Sequence, residues 1–157
     1  MPELPEMQAL AERLDVALSG HVLVAATPIG FSGLKSAVDP GTLAGRALER
    51  VGRRGKYLVL ELGGPRVLVH LSQGGRVDLE RPPKSTRPKG GVVRFRFDGA
   101  PSVLVKEHGT QRKAGWWILG PGDDGPLAKL GPEPSWDAFA QLVVAGGDGR
   151  RVHTILR

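Results

Sequence analysis

Tyr57-Leu58-Val59-Leu60-Glu61-Leu62-Gly63-Gly64-Pro65-Arg66-Val67-Leu68-Val69-His70-Leu71 is the stretch that decides the architecture. Its two apolar runs are too short for packed helices, are rich in Val and Leu, and flank a Gly-Gly-Pro break, which is the pattern of a β-hairpin. Similar runs recur on both sides, at His21–Ala26, Arg76–Glu80, Val92–Phe97, Val103–Lys106 and Trp116–Leu119. Val93-Arg94-Phe95-Arg96-Phe97 alternates strictly, which predicts one buried face and one basic face. Trp116 and Trp117 are adjacent, so on a strand they point opposite ways. One is expected in the core, and the other either covers the second face of the sheet or stacks on a base. Short strands at this spacing predict a mainly β protein with flanking helices, an antiparallel β-sandwich of about seven to eight strands rather than a parallel α/β sheet.

Outside the strands, Met7, Leu10, Leu14, Ala17 and Leu18 recur at helical spacing, predicting an N-terminal helix over Glu6–Ser19 that Gly20 stops. Residues 39–50 read as a short second helix with Leu43, Ala47 and Leu48 inward. Arg81–Gly91, with three prolines, two glycines and four basic residues, reads as a loop. Gly120–Pro134 reads as a linker. Beyond it Ser135 is placed to cap a helix carrying Trp136, Phe139 and Val143, and Val152, Ile155 and Leu156 resume helical spacing. The expected organisation is a β-sandwich domain over residues 1–131, then a linker and the start of a helical region over 132–157.

The chain opens Met1-Pro2-Glu3-Leu4-Pro5-Glu6. Once Met1 is removed, Pro2 presents a secondary amine. A terminal amine has a reference pKa of about 8 against about 10.4 for lysine, so much more of it is neutral near pH 7. A neutral amine can attack a sugar carbon and form an iminium, and Glu3 can move the protons that attack and elimination require. The plainer reading of such a start is a Pro-rich lead into a helix. A helix packed on the core would hold Pro2 and Glu3 at a fixed place, which a nucleophile needs.

Composition narrows the partner. The chain has 22 Lys and Arg against 16 Asp and Glu, a formal net charge of +6, which suits a polyanion. Arg81, Lys84, Arg87, Lys89, Arg94 and Arg96 follow one another between Glu80 and Asp98 with no acid among them. Zero cysteines exclude disulfides and thiolate metal sites, and the four histidines lack ligand spacing, so no metal is expected. There is no signal-peptide pattern and no apolar run of membrane-spanning length, so an intracellular, cytoplasmic protein is expected, with no membrane partner.

Four stretches together resemble the formamidopyrimidine-DNA glycosylases, the Fpg/Nei family of oxidised-base repair enzymes. Pro2-Glu3-Leu4-Pro5-Glu6 is similar to that family's N-terminal signature, and Leu4 is nearer the Fpg than the Nei type. Arg53-Arg54-Gly55-Lys56-Tyr57-Leu58 is similar to its R-R-x-K-Y-L segment. His70-Leu71-Ser72-Gln73-Gly74-Gly75 resembles H-L-G-M-[ST]-G, and Leu130-Gly131-Pro132-Glu133-Pro134 resembles L-G-P-[DE]-P. The resemblance implies a DNA glycosylase with abasic-site lyase activity in base excision repair. It acts on 8-oxoguanine and formamidopyrimidine lesions in double-stranded DNA as a monomer, with Pro2, Glu3 and Lys56 catalytic. By the same resemblance Arg112, Gln73, His70 and Glu6 are expected to serve the DNA site, and Lys89 is the nearest basic residue to a phosphate-contacting histidine of the family that has no clear counterpart here.

Two of these have ordinary alternatives: Glu6 as a helix-stabilising first-turn carboxylate, and His70 as a satisfied core histidine. The departures are also specific. Gln73 stands where the family carries an intercalating methionine, and Ala114 where it carries a wedge phenylalanine. Without cysteines there is no zinc finger, so no cofactor is expected. The chain is expected to stop where the family's helix-two-turn-helix domain begins. Two rival functions therefore stand beside the enzyme, a non-catalytic DNA-binding remnant and a protein-interaction module.

Overall fold

The computed structural model describes residues 4–30, 33–108 and 113–130. Two compact units are distinguished, Met1–Gly125 and Pro126–Arg157. In the first, helix α1 (Leu4–Leu18) precedes eight strands: β1 (Leu23–Pro28), β2 (Arg50–Arg54), β3 (Tyr57–Glu61), β4 (Arg66–His70), β5 (Gly75–Glu80), β6 (Gly91–Phe97), β7 (Ser102–Glu107) and β8 (Gly115–Leu119). They form two antiparallel four-stranded sheets, ordered β1-β6-β7-β5 and β2-β3-β4-β8. The expected sandwich is present. The hairpin at Gly63-Gly64-Pro65 joins β3 to β4, with Tyr57 paired to His70 and Glu61 to Arg66. Both glycines have positive φ, 77° and 129°, a region that side chains disfavour.

The sheets are held by their inner faces. Trp116 from β8 meets Phe95 from β6 edge-on at 5.6 Å, and Val67, Val69, Leu58, Val93, Val103 and Val105 fill the space around them. Each such fully buried side chain stabilises the fold by about 1.5–3 kcal/mol. Trp117 points the other way and packs its edge on Tyr57, so it covers the outer face of the second sheet.

Helix α1 buries Met7, Ala11, Leu14 and Leu18, one stripe at helical spacing, while Val16 opposite is 88% exposed. It is tied to β2 by the Asp15 carboxylate, which accepts from the Val51 N–H at 2.8 Å. Gly20, at φ +87°, ends it and donates its N–H to the Leu48 carbonyl. Through these contacts the start of α1 is carried on the sandwich.

Two expectations are corrected. Residues 39–50 do not form a helix: after a single 3-10 turn at Pro40–Leu43 the chain turns extended at Ala44 and reverses at Gly45, φ +87°. Asp39 accepts from the Gly41 N–H and caps that turn, and the two glycines and Pro40 prevent propagation. Leu43 and Leu48 do point inward, but Ala47 is exposed and bridges Val22. The second correction is an extra strand, β2. The helix placed after Ser135 and the segment 150–157 lie outside the described residues.

Candidate functional site

Lys56 occupies the two-residue turn of the β2–β3 hairpin, after Gly55, whose φ of +58° is the conformation such a turn demands. Directly across β3 and β4, Tyr57 pairs with His70, and their rings lie 5.0 Å apart. Burial, and then the nearby Lys56 charge, push the His70 pKa below its ordinary value. The Ser72 N–H points at His70 Nδ1 at 3.2 Å, so Nδ1 is the acceptor and the neutral ring carries its proton on Nε2. A neutral N–H donor beside a lysine ammonium can bind a phosphate oxygen without a second buried charge. The structure therefore brings Lys56 and His70 together, and His70 is half-buried on Tyr57 rather than enclosed in the core.

From His70 the chain crosses to the other sheet through a tight turn into β5. Ser72 adopts φ +57°, an uncommon conformation for a residue with a side chain, and Gln73 stands exposed at the tip. A Cβ on Gly75 would collide with the Leu71 backbone, so that position requires glycine. Beside the turn, a cavity of about 450 Å³ opens between α1 and β5, lined among others by Glu6, Arg13, Leu71 and Arg76. Glu6 thus lies on the same cavity as the turn that carries Gln73. Pro2 and Glu3 lie outside the described residues.

Lys89 is exposed on the loop between β5 and β6, where it lines a larger groove of about 870 Å³ with Arg13, Lys84, Lys106 and His108. Among the described residues none of Arg13, Arg81, Lys84 or Lys89 is in an ion pair. The expected basic face of β6 needs correction. Arg96 is exposed, but Arg94 is 3% exposed and sits in a buried pair with Glu80, at 2.8 and 3.1 Å. Ser102 donates to the same carboxylate, and Arg94 also donates to the Thr86 carbonyl, which pins the loop over the sheet. Burial works to raise the Glu80 pKa, yet the hydrogen bonds from Arg94 and Ser102 and the charges of Arg94 and Lys84 outweigh it. The carboxyl is held below its usual range.

One site-forming residue escaped the sequence reading. Glu107, at the end of β7, is 5% exposed, and its Oε2 accepts from the Lys113 and Ala114 N–H groups, both at 2.9 Å. It closes the loop on which Arg112 falls; Arg112 itself lies outside the described residues. Ala114 is buried, so its methyl is not a wedge presented to a base stack. The only hint in the sequence was an acid closing an apolar strand immediately before a turn. Among the described residues no group of three or more His, Asp or Glu is placed to hold a metal ion, and no helix is long and apolar enough to cross a membrane.

The family described as the formamidopyrimidine-DNA glycosylase N-terminal domain matches residues 1–117. The chain belongs to that family. Formamidopyrimidine-DNA glycosylases from Laribacter hongkongensis and Symbiobacterium thermophilum are 38% and 35% identical over 146 and 153 residues, covering 88% and 92% of this chain but 52% and 48% of theirs. The chain thus spans about half the length of the curated relatives it matches. Among solved structures, a Lactococcus lactis Fpg bound to DNA with an abasic site superposes with a TM-score of 0.75 at 21% identity, covering 87% of this chain and 52% of that one. Another, bound to DNA with an oxidised pyrimidine, gives 0.76 at 23% identity, with 88% and 53% covered. At those identities the likeness establishes a shared fold.

Proposed function

We propose that the chain is the catalytic domain of a base-excision-repair DNA glycosylase with abasic-site lyase activity. Its substrates would be oxidised purines of the 8-oxoguanine and formamidopyrimidine type in double-stranded DNA, in the cytoplasm and on the nucleoid. The observation that carries this reading is the family match over residues 1–117, which begins at the Pro2-Glu3 terminus and includes the Lys56–His70 pair. Relatives of the same fold are seen bound to DNA with an abasic site and with an oxidised pyrimidine.

After loss of Met1, the Pro2 nitrogen attacks C1′ of the damaged nucleotide. The base leaves with a proton, and the sugar ring opens to an iminium as Glu3 moves protons between base, ring oxygen and water. Loss of a C2′ proton then expels the 3′ phosphate and cuts the strand. Lys56 and neutral His70 hold phosphate oxygens, Glu6 supports the Pro2 site, and Gln73, Lys89 and Arg112 hold the duplex.

Borohydride trapping on abasic DNA, followed by peptide mapping, tests this. The adduct should lie on Pro2; an adduct on Lys56, or none at high protein concentration, overturns the mechanism. Pro2→Gly keeps a terminal amine and should keep part of the activity, whereas retained Met1 turns the nitrogen into an amide and should abolish it. One rival is a domain that binds DNA without cutting it, and salt-sensitive binding without trapping would select that reading.

A further inference from the structure

Gln73 and Lys89 fall on two separate loops, and these two loops and the described Lys113–Ala114 segment are fastened to the same two residues. The His108 N–H donates to the Gly74 carbonyl at 2.9 Å, beside Gln73. The Glu107 N–H donates to the Gly90 carbonyl at 2.8 Å, beside Lys89. The Glu107 carboxylate takes the Lys113 and Ala114 N–H groups, where the segment containing Arg112 rejoins the sheet. The approach is close enough to forbid side chains. A Cβ on Gly74 would lie 2.5 Å from the His108 carbonyl oxygen, and one on Gly90 would lie 2.6 Å from that of Glu107. Gly90 also has φ +82°.

We infer that Glu107–His108 is the positioning hub that sets the Gln73 turn, the Lys89 loop and the Lys113–Ala114 segment in one register, with the Glu107 carboxylate as its key group. The inference rests on the proposed function. Glu107 is a buried acid, and the cost of burying it is offset by the two N–H groups its carboxylate holds. Its second oxygen, Oε1, is buried and finds no hydrogen-bond partner among the described residues, so the side chain is spent on the two N–H groups. Such a group acts through other residues and touches no DNA.

The charge gives the test its sign. Removing a negative charge near a phosphate site should strengthen DNA binding if only electrostatics matters. A hub predicts the reverse where the acceptor goes with the charge, because displaced loops withdraw phosphate contacts, and each lost contact lowers the salt slope by about 0.9 log units per log unit of salt. The measurement is binding of a labelled duplex bearing a tetrahydrofuran abasic analogue across a salt series, below the melting temperature of every variant.

Glu107→Ala, which removes the acceptor of both N–H groups, should bind more weakly than wild type with a slope reduced by about one phosphate contact. Glu107→Gln, whose amide oxygen can take the same two N–H groups, should bind at least as tightly as wild type, and Gly90→Ala, whose methyl would meet the Glu107 carbonyl oxygen, should also lose slope. If wild type binds in a salt-dependent way and Glu107→Ala binds as tightly or more tightly, the hub is wrong and the functional reading stands. If wild type binds no DNA, the functional reading fails and takes the hub with it.

Discussion

Arg94 shows how burial changes the meaning of a charged residue. By alternation it belongs on the face of β6 that also carries Arg96, and on that basis it counts as a DNA contact. Alternation reports which face a side chain takes, not what covers that face, and here the Thr86 segment covers it. The Glu80–Arg94 pair is 6% and 4% exposed at its side chains, so solvent screens it little. Glu80→Ala leaves the guanidinium buried and uncompensated and should cost about 3–5 kcal/mol in urea unfolding. Exchanging the pair together for Leu and Met should cost much less. The pH dependence follows from the lowered Glu80 pKa. Its stabilisation is complete above the unfolded carboxylate value of about 4.3 and fades as pH falls through the lower folded value, so Glu80→Ala should flatten the acid limb of stability. Glu3 is tested by chemistry instead. Glu3→Gln should lower excision of a damaged base by roughly two to four orders of magnitude. Trapping on a preformed abasic site should fall less, because no base remains to be expelled, and equal losses would make Glu3 a positioning residue.

Elements were legible where an apolar period was present and illegible where structure is borrowed from a neighbour. α1 and seven strands announce themselves through spacing. β2, Arg50-Val51-Gly52-Arg53-Arg54, has one inward apolar residue, Val51, and is a strand because β3 pairs with it and Asp15 holds it. Residues 39–50 erred the other way, since Leu43 and Leu48 do face inward but the chain turns extended at Ala44 and reverses at Gly45 between them. In the candidate site, Lys56, His70 and Gln73 were named from short motifs, and Lys89 as the nearest basic residue to a position the family fills with histidine. Glu107 belongs to no motif, because its role arises only when three loops distant in sequence meet. The β4–β5 turn is the element whose geometry most constrains the site. Gly75→Ala drives a methyl into the Leu71 backbone, which cannot yield as a flexible side chain can. Strain of this kind costs of order 1–3 kcal/mol. Thermal unfolding should show that loss, and DNA binding should weaken beyond it as Gln73 is displaced; an unchanged melting temperature would mean the turn relaxes freely.

At the scale of the molecule, a net charge of +6 is spread unevenly, with exposed cations around the groove beside α1 and the acids there neutralised by Lys106 and Arg94. Binding through phosphates should therefore fall steeply with salt, by about 0.9 log units per log unit of salt for each phosphate neutralised. Lesion extrusion is a separate demand. Taking a base out of a duplex costs a few kcal/mol, least where the base is absent or already unstacked. The curated relatives run to about twice the length matched here, and in this chain Gln73 is a short polar tip and Ala114 is buried. The 157-residue chain tested by itself should thus process an abasic duplex and single-stranded lesions better than 8-oxoguanine paired in a duplex. Single-turnover cleavage of the three substrates at low and physiological salt makes the comparison. Raising salt should suppress all three through binding while leaving their order unchanged, because extrusion involves base stacking more than phosphate charge. Efficient excision of duplex 8-oxoguanine by this chain would mean that extrusion resides in the N-terminal domain. Salt-insensitive cleavage would detach the groove's cations from DNA altogether.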